Sequence, residues 1–283
     1  MEVQWYPGQM AKAKRLLREN LKLVDAVIEV LDARIPASSQ NPDIRQILQN
    51  RPVVAVLTRP DLADPEETEK WLQLLGRQYF IAAAVNARMG TGIKRLFAGL
   101  KSIPKRRKHK RRPLRLMVAG IPNVGKSSLI NRLIGRNAAI TGDKPGVTTG
   151  KQWIRLPGDL ELLDTPGLLW PKIANKEQAF CLAAVGSIKD EIINLLELGH
   201  ELIKYFERHA QQNIYQRYKI ETEIKDPNEI MIEIGKRRGC LRKGGEVDLE
   251  AAARILIKDF REGRLGRITL EKAAAVGEEN EGF

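Results

Sequence analysis

The sequence contains little of what disulfide-rich, zinc-binding or membrane-spanning proteins are built from. Its 283 residues include two cysteines, Cys181 and Cys240, and three histidines that lie apart in the chain. This composition argues against a disulfide framework and against structural zinc. No uninterrupted apolar run approaches the roughly 18 residues of a membrane span, which argues against a channel or transporter. The first twenty residues lack the apolar core and small-residue cleavage site of an export signal, so we expect a cytoplasmic protein.

The length predicts two compact domains, and the charge is distributed unevenly between them. The net charge is +13, but residues 1–168 hold 29 Lys or Arg against 15 Asp or Glu, whereas residues 169–283 hold 19 against 20. Residues 101–115 alone contain nine Lys or Arg and no acid. Such a run indicates a polyanionic partner such as nucleic acid, or alternatively a solvated linker that keeps the protein soluble. It contains no aromatic residue, so we expect contacts with phosphates and not base stacking.

Six segments have the apolar, β-branched composition of buried strands. They alternate with helical spacing over 42–49, 65–75 and 127–134, which predicts an α/β domain with a mostly parallel six-stranded sheet. The six predicted strands are 25–33, 52–57, 79–85, 114–119, 152–156 and 160–163, the last two flanking a Pro157-Gly158-Asp159 turn as a hairpin.

From about residue 175 the pattern changes to helices. We predict helices over 178–187, 191–209, 227–237 and 249–261, separated by glycines and Pro227. The sequence therefore predicts a sheet domain over residues 1–174 and an all-helical domain over residues 175–283.

A phosphate-binding loop is the strongest motif in the chain. Residues 120–127, Gly-Ile-Pro-Asn-Val-Gly-Lys-Ser, match GxxxxGK[ST] between a predicted strand and a predicted helix. In such a loop backbone N–H groups cradle the phosphates, Lys126 reaches the β- and γ-phosphate oxygens, and the Ser127 hydroxyl binds Mg2+. The residues assigned to nucleotide binding here are Asn123, Val124, Gly125, Lys126, Ser127 and Ser128.

Two downstream motifs fit the same site. Asp164-Thr-Pro-Gly167 reads as DxxG, which places the Asp164 carboxylate at Mg2+ and the Gly167 N–H at the γ-phosphate. Between this motif and the phosphate loop, Pro145-Gly-Val-Thr-Thr supplies a switch threonine that touches Mg2+ and the γ-phosphate; we favour Thr148 and keep Thr149 as the alternative. The combination favours a GTPase over an ATPase.

The guanine-reading motif does not follow DxxG. Residues 175–178, Asn-Lys-Glu-Gln, place Gln where a carboxylate is required, and no predicted strand precedes them. Upstream, a strand leads into Thr58-Arg59-Pro60-Asp61, and the next strand leads into Asn86-Ala87-Arg88, where a base-contacting loop belongs. Asp61 can accept two hydrogen bonds from guanine N1 and N2, which adenine does not offer. On spacing alone, residues 58–61 are equally a strand-end turn followed by a helix cap.

This order of motifs indicates a circularly permuted domain. It consists of a guanine-reading half over 24–100, a basic linker over 101–113 and a phosphate-binding half over 114–174. The chain resembles the circularly permuted GTPases of the ribosome biogenesis GTPase A family over about residues 3–270. The motifs that carry this resemblance are TRPD, VNAR, GIPNVGKSS, PGVTT and DTPG in that order, together with WYPGQMAKA, GSIKD and KRRGC.

The resemblance implies a function and a set of partners. It implies that the protein binds the rRNA of the large ribosomal subunit and promotes its maturation, with the basic linker and the helical domain as RNA-contacting surfaces. It also implies activation by the assembling subunit and by K+, with Asn123 as the K+ ligand.

Three positions depart from the family's pattern. Thr58-Arg59 replaces the usual Asn-Lys. Thr58 can still make one hydrogen bond to the base and Arg59 can lie over it, but the side-chain amide is lost, so we expect weaker guanine binding, with Asp61 preserving the preference over adenine. Leu168 follows DxxG and cannot orient water. Gln9 stands where the family usually has a His; we hypothesise that its amide orients the attacking water. The alternative is that Gln9 is an exposed loop residue and that another group, or the RNA, positions the water.

The sequence therefore predicts a GTP hydrolase that promotes late maturation of the large ribosomal subunit, with GTP or GDP, Mg2+ and K+ as cofactors. Catalysis is assigned to Gln9, Lys126 and Thr148. The alternative function, suggested by Thr58-Arg59 and Gln9, is an RNA-binding scaffold that holds nucleotide with negligible hydrolysis. We expect a monomer with no DNA or membrane partner.

Overall fold

The computed structural model describes residues 15–41, 51–104, 112–135, 140–141, 152–164, 173, 175–221, 224 and 226–274, with the backbone alone at 140, 141, 152 and 164. These residues fall into two compact units. One is a sheet unit made of residues 15–164 together with residues 269–274, and the other is a helical unit made of residues 173–268.

The sheet unit is built on a seven-stranded sheet in the order β3-β2-β1-β4-β7-β6-β5. Strands β3, β2, β1, β4 and β7 run parallel to one another, and β6 runs antiparallel to both β5 and β7. All six predicted strands and the predicted hairpin are present. The strands are β1 Ala26–Asp32, β2 Val53–Thr58, β3 Ile81–Val85, β4 Leu114–Ala119, β5 Ile140–Thr141, β6 Gln152–Leu156 and β7 Leu160–Asp164. Strand β5 was not predicted, because two residues are too few to show an alternating pattern.

Helices cover both faces of this sheet. Helix α1, Pro65–Gln78, packs Trp71 and Leu75 against Leu57 of β2. Helix α2, Ile93–Lys101, lies on the other face. Its Gly99 lies against Ile81, whereas the next residue of β3, Ala82, packs against the α1 side. Successive residues of a strand point to opposite faces of the sheet. Helix α3, Lys126–Ile134, follows β4.

The predictions for these helices had mixed outcomes. Helices α1 and α3 match predicted helices, and the helical residues 15–21 fall in a stretch of amphipathic sequence. Helix α2 was not predicted, and the helix predicted over 42–49 lies outside the described residues.

The order of the strands indicates at which edge of the sheet a ligand is expected to bind. Strands β1 and β4 are neighbours, and the chain proceeds from β1 toward β2 and β3 on one side, while β7 lies on the other side of β4. Ligands of open α/β sheets bind beyond the carboxyl ends of the strands at such a switch point. The loops that follow β1, β2, β3 and β4 all leave the sheet at this edge.

The helical unit has an apolar core formed by amphipathic helices. Phe206 and Phe260 meet edge to face with their ring centres 6.3 Å apart. Four of its helices correspond to the four predicted ones; α6 was not predicted because its sequence is mostly polar. The helices are α4 Lys176–Ala184, α5 Leu195–His209, α6 Gln211–Tyr218, α7 Pro227–Arg238 and α8 Leu249–Arg261. Within the described part of the chain, no helix has both the length and the apolar composition needed to cross a bilayer.

The end of the chain departs from the predicted domain organisation. Residues 269–274, predicted as part of the helical domain, belong to the sheet unit. Ala273 is buried in the same apolar cluster as Trp71, and the Trp71 Nε1–H donates to the Glu271 carbonyl at 2.9 Å. The sequence pattern did not predict this because the segment is short and its partners lie about 200 residues earlier in the chain.

Candidate active site

The phosphate loop has the predicted strand–loop–helix context, between β4 and α3. Its backbone requires glycine at both ends: Gly120 has a φ of +153° and a Cβ there would lie 2.6 Å from the Val30 carbonyl, and Gly125 has a φ of +92°. Asn123 is also left-handed, at +59°. The N-cap residue of α3 is Gly125, and among the described residues no side chain caps this end of the helix. Its first-turn N–H groups and its positive dipole end are therefore available to an anion.

Lys126 lies in the first turn of α3. Its half-buried ammonium donates to the Ile121 carbonyl of the same loop at 2.5 Å. Burial lowers the pKa of Lys126 to about 8. Ser127 and Ser128 follow it with exposed side chains. A desolvated cation and exposed hydroxyls at a helix N-terminus are the groups that phosphate oxygens and a divalent cation require.

Thr58, the last residue of β2, connects the two predicted halves of the site. Its side chain is 2% exposed, and its hydroxyl lies 2.5 Å from the Val124 carbonyl and 3.0 Å from the Leu31 carbonyl. A hydroxyl has one proton, so it donates to one of these carbonyls at a time. Thr58 therefore stabilises the phosphate loop, and its hydroxyl proton takes part in a hydrogen bond within the protein.

Arg59 is held in place by a carboxylate that the sequence analysis missed. It has a φ of +55°, and its Nη1 donates to Asp32 Oδ2 at 2.9 Å. Asp32 is fully buried, and Arg34, which is 1% exposed, binds both of its oxygens at 3.0 and 2.9 Å. Burial alone would raise the pKa of Asp32, but Arg34 and Arg59 outweigh it and keep the pKa below its usual value. The sequence signal was an acid at the end of a buried strand and a base two residues later.

Asp61 has an exposed carboxylate. Among the described residues, it has no hydrogen-bond or ion-pair partner within the protein. The carboxylate of Asp64, three residues later, instead caps α1 by accepting from the N–H groups of Glu66 and Glu67. The helix cap and the predicted base-reading group are thus different residues, and Asp61 remains available to a ligand.

The loop after β3 is ordered by Asn86. This side chain is 6% exposed, and its Oδ1 accepts from the N–H groups of Arg88 and Met89 at 2.9 and 3.0 Å. Asn86 therefore shapes the loop from inside. The Ala87 N–H has no partner in the described part of the chain, which leaves it as a donor for a base carbonyl.

Arg132 ties this loop to the phosphate-binding half. It lies on α3, and its Nε donates to the Ala87 carbonyl at 2.7 Å while its Nη2 donates to the Arg88 carbonyl. Sequence reasoning missed Arg132, since nothing in a helical arginine indicates that it contacts a loop 44 residues earlier.

Other predicted site residues are described partly or not at all. Gln9, Thr148 and Gly167 lie outside the described residues. Only the backbone of Asp164 is described; it ends β7, the strand beside β4. Asn175 is the N-cap of α4, and its side chain accepts from the Gln178 N–H at 2.8 Å, so residues 175–178 form a helix start.

Comparisons with known proteins identify the family of this chain. A family model described as 50S ribosome-binding GTPase matches residues 115–233. The chain is 41% identical to the ribosome biogenesis GTPase A of Bacillus cereus, covering 99% of this chain and 97% of that protein. It is 32% identical to the ribosome biogenesis GTPase A of Thermotoga maritima, covering 95% of this chain and 94% of that protein.

A solved structure has the same fold. The GNP-bound YlqF from T. maritima has a TM-score of 0.67 at 28% identity, covering 93% of this chain and 98% of that one. The fold is therefore a circularly permuted P-loop GTPase domain followed by a helical region. With identity above 40% over nearly the whole length, this chain belongs to the ribosome biogenesis GTPase A family.

Proposed function

We propose that this protein hydrolyses GTP as an assembly factor that binds the rRNA of the large ribosomal subunit and promotes its late maturation. The observation that carries the proposal is the hydrogen bond from Thr58 to the Val124 carbonyl. It joins a phosphate-binding loop to a segment whose exposed Asp61 can accept from guanine. The names of the relatives, ribosome biogenesis GTPase A, support the assembly role.

Residues at one edge of the sheet fit a magnesium ion. The Ser127 hydroxyl is exposed in the first turn of α3, and β7 ends at Asp164 beside β4. We assign Mg2+ to Ser127, Asp164 and Thr148, since Mg2+ prefers oxygen ligands and nucleotide phosphates. When bound, it would neutralise charge on the β- and γ-phosphates. Asn123 remains our candidate ligand for K+.

Hydrolysis of GTP needs positioning and charge neutralisation more than covalent chemistry. Lys126 and the uncapped N-terminus of α3 supply positive charge to the phosphates. Leu168 cannot hydrogen-bond to water, so we assign the orientation of the attacking water to the Gln9 amide.

The helical unit supports RNA binding through a cluster of arginines organised by one buried acid. Asp259 is 2% exposed and accepts from Arg217 Nε at 2.8 Å and from Arg264 Nη1 at 3.0 Å. Arg238 lies 3.6 Å from Asp259 and stacks 5.1 Å from the centre of the Tyr218 ring. Arg264 also pairs with Glu262, so the two carboxylates leave one of the three positive charges uncompensated. These side chains are 29% to 48% exposed, so they present a pre-ordered positive surface to phosphates.

The basic segment 101–115 has fewer cations available for phosphate contacts than its composition indicates. Arg112 binds both oxygens of Asp25 at 2.8 and 3.0 Å, and Arg115 pairs with Glu161 at 3.0 Å. Two of the nine cations of residues 101–115 therefore have structural partners. Residues 105–111, which contain six of the nine, lie outside the described residues and remain our predicted phosphate contacts.

Removing single cations from the arginine cluster should weaken binding to RNA. We expect Arg217→Gln and Arg264→Gln each to lower the affinity for the large subunit by about 3- to 10-fold. Each should also reduce the steepness of the plot of log K against log[KCl] by about one. Titrations with labelled protein at several KCl concentrations measure both quantities. Asp259 keeps other partners in each variant, so the fold should survive.

Arg254→Gln is the matched control for this experiment. Arg254 is an exposed arginine of the same unit, 58% exposed and paired with Glu250. An equal loss of affinity in Arg254→Gln would mean that only net charge matters. Unchanged affinity in all three variants would place the RNA contacts elsewhere.

The proposal is tested by phosphate release from GTP, with ATP as a control, in potassium buffer with and without purified large subunits. Strong stimulation by subunits, confined to GTP, is the expected result. Nucleotide binding without stimulated turnover would favour the scaffold function. A Gln9→Ala variant with unchanged stimulated turnover would remove Gln9 from catalysis while leaving the GTPase function in place.

A further inference from the structure

The segment that follows the helical unit returns to the sheet unit and bonds to the elements around the base-reading residues. We call residues 269–273 the C-terminal strap. The Thr269 hydroxyl accepts from the Asp64 N–H at 3.0 Å, and the Leu270 N–H donates to the Arg34 carbonyl at 2.8 Å. Farther along, the Ala273 N–H donates to Glu67 Oε2 at 3.1 Å. The strap is therefore bonded both to α1 and to the loop that follows β1.

Glu271 makes the densest of these contacts. Its carboxylate accepts from the Ala37 N–H at 2.6 Å, from the Ser38 N–H at 3.0 Å and from the Ser38 hydroxyl. Its carbonyl accepts from the Trp71 indole. Charged acceptors with several donors make strong, geometrically specific contacts. One side chain from the end of the chain thus fixes the loop after β1.

These contacts bracket the base-reading segment, residues 58–61, from both sides. On one side, the strap holds Arg34, whose guanidinium binds Asp32, which in turn binds Arg59. On the other side, Thr269 holds the Asp64 N–H, three residues after Asp61. Arg59 is left-handed, a conformation that a non-glycine residue adopts only where its surroundings hold it.

We propose that the C-terminal strap holds the base-reading segment in the conformation that selects guanine, and that Glu271 is a positioning residue for this selectivity. The inference rests on the proposed guanine-reading role of Asp61. No strap side chain needs to touch the nucleotide. The strap acts by restricting where the Asp61 carboxylate lies relative to the phosphate loop, which fixes the other end of the same ligand.

The test compares the affinities for GDP and for IDP, whose base lacks the 2-amino group of guanine. In Glu271→Gln an amide NH2 replaces one carboxylate oxygen and faces N–H donors that need an acceptor. We expect the ratio of GDP to IDP affinity to fall by roughly 2- to 30-fold, the range typical of coupled positions. The exposed Lys272 of the same strap provides the matched control, and Lys272→Gln should keep the wild-type ratio.

The ratio separates positioning from simple stabilisation. If the strap only fastened the chain end, Glu271→Gln would lower the melting temperature and leave the ratio of GDP to IDP affinity unchanged. That result would overturn the proposal. Asp61→Asn, measured in parallel, identifies the source of the ratio. If that variant keeps the wild-type ratio, both the guanine-reading assignment and the inference from it are wrong. If the ratio of GDP to IDP affinity falls in Asp61→Asn but stays at the wild-type value in Glu271→Gln, only the inference fails.

A second variant keeps the test valid if Glu271→Gln does not fold. Thr269→Val removes only the hydroxyl that accepts from the Asp64 N–H and keeps the shape of a side chain that is 2% exposed. The proposal again expects a lower GDP to IDP ratio, and an unchanged ratio in this folded variant contradicts it.

Discussion

Replacing Asp61 by asparagine is expected to weaken GDP binding by at least about 100-fold and to create a preference for xanthosine diphosphate. The Asp61 carboxylate can accept from both N1–H and the 2-amino group of guanine. An asparagine amide offers one acceptor and one donor, so it opposes the 2-amino group and matches the 2-carbonyl of xanthine. Competition titrations with a fluorescent nucleotide measure both effects.

The structure makes this substitution a clean experiment. Asp61 is exposed and has no partner among the described residues, so the variant should melt within about 2 °C of the wild type. Asp64→Asn is the matched control, because it removes the same charge three residues away and asparagine caps a helix as well as aspartate does. Unchanged base preference in Asp61→Asn would mean that guanine is read by another group.

Replacing Lys126 by methionine should lower the affinity for GDP and GTP by about 100-fold or more, because the lost cation makes charge-assisted contacts with phosphate. The methionine fills a similar volume in the half-buried position, so the fold should persist. Within the described part of the chain, the Lys126 ammonium donates to the Ile121 carbonyl. Isothermal titration with both nucleotides measures the loss, and the preference for guanine over adenine should remain, since Asp61 is intact.

The same lysine gives wild-type binding a characteristic pH dependence. Burial lowers the pKa of Lys126 to about 8 in the free protein, and phosphate binds its protonated form. Affinity should therefore change little below about pH 7, fall about twofold by pH 8, and fall a further roughly fivefold between pH 8 and pH 9. Lys126→Met should lack this fall and report only titration of the nucleotide itself. A wild-type profile that is flat across this window would contradict the role of Lys126.

Local patterns in the chain were sufficient to predict the phosphate loop. The glycines at 120 and 125, the lysine and the serine must follow one another because backbone conformation, cation and hydroxyl act within a single strand-to-helix turn. Strands β1 and β2 were predictable for a similar reason: a strand buried on both faces is apolar along nearly its whole length. The permuted order of the halves followed from where Thr58-Arg59-Pro60-Asp61 stands relative to the phosphate loop.

Roles that depend on distant partners were not predictable in this way. From the family's pattern, Thr58 is predicted to make a hydrogen bond to the base, whereas its hydroxyl bonds to a carbonyl 66 residues later. Arg59 is predicted to lie over the base, whereas its guanidinium pairs with Asp32. Neither Asp32 nor Arg132 was assigned a role.

The residue types and their spacing specify the chemistry of the phosphate loop, because that chemistry is completed within about eight consecutive residues. The base-reading site is different, because it depends on contacts between separate parts of the chain. Asp32 at the end of β1 binds Arg59, and Thr58 at the end of β2 bonds to the phosphate loop. Arg132 on α3 binds the loop after β3, and Glu271 in the strap binds the loop after β1. Glu271 meets Ala37 across 234 positions. Such pairs form only when the parallel sheet brings its carboxyl edge together, so their roles became visible only in the folded protein.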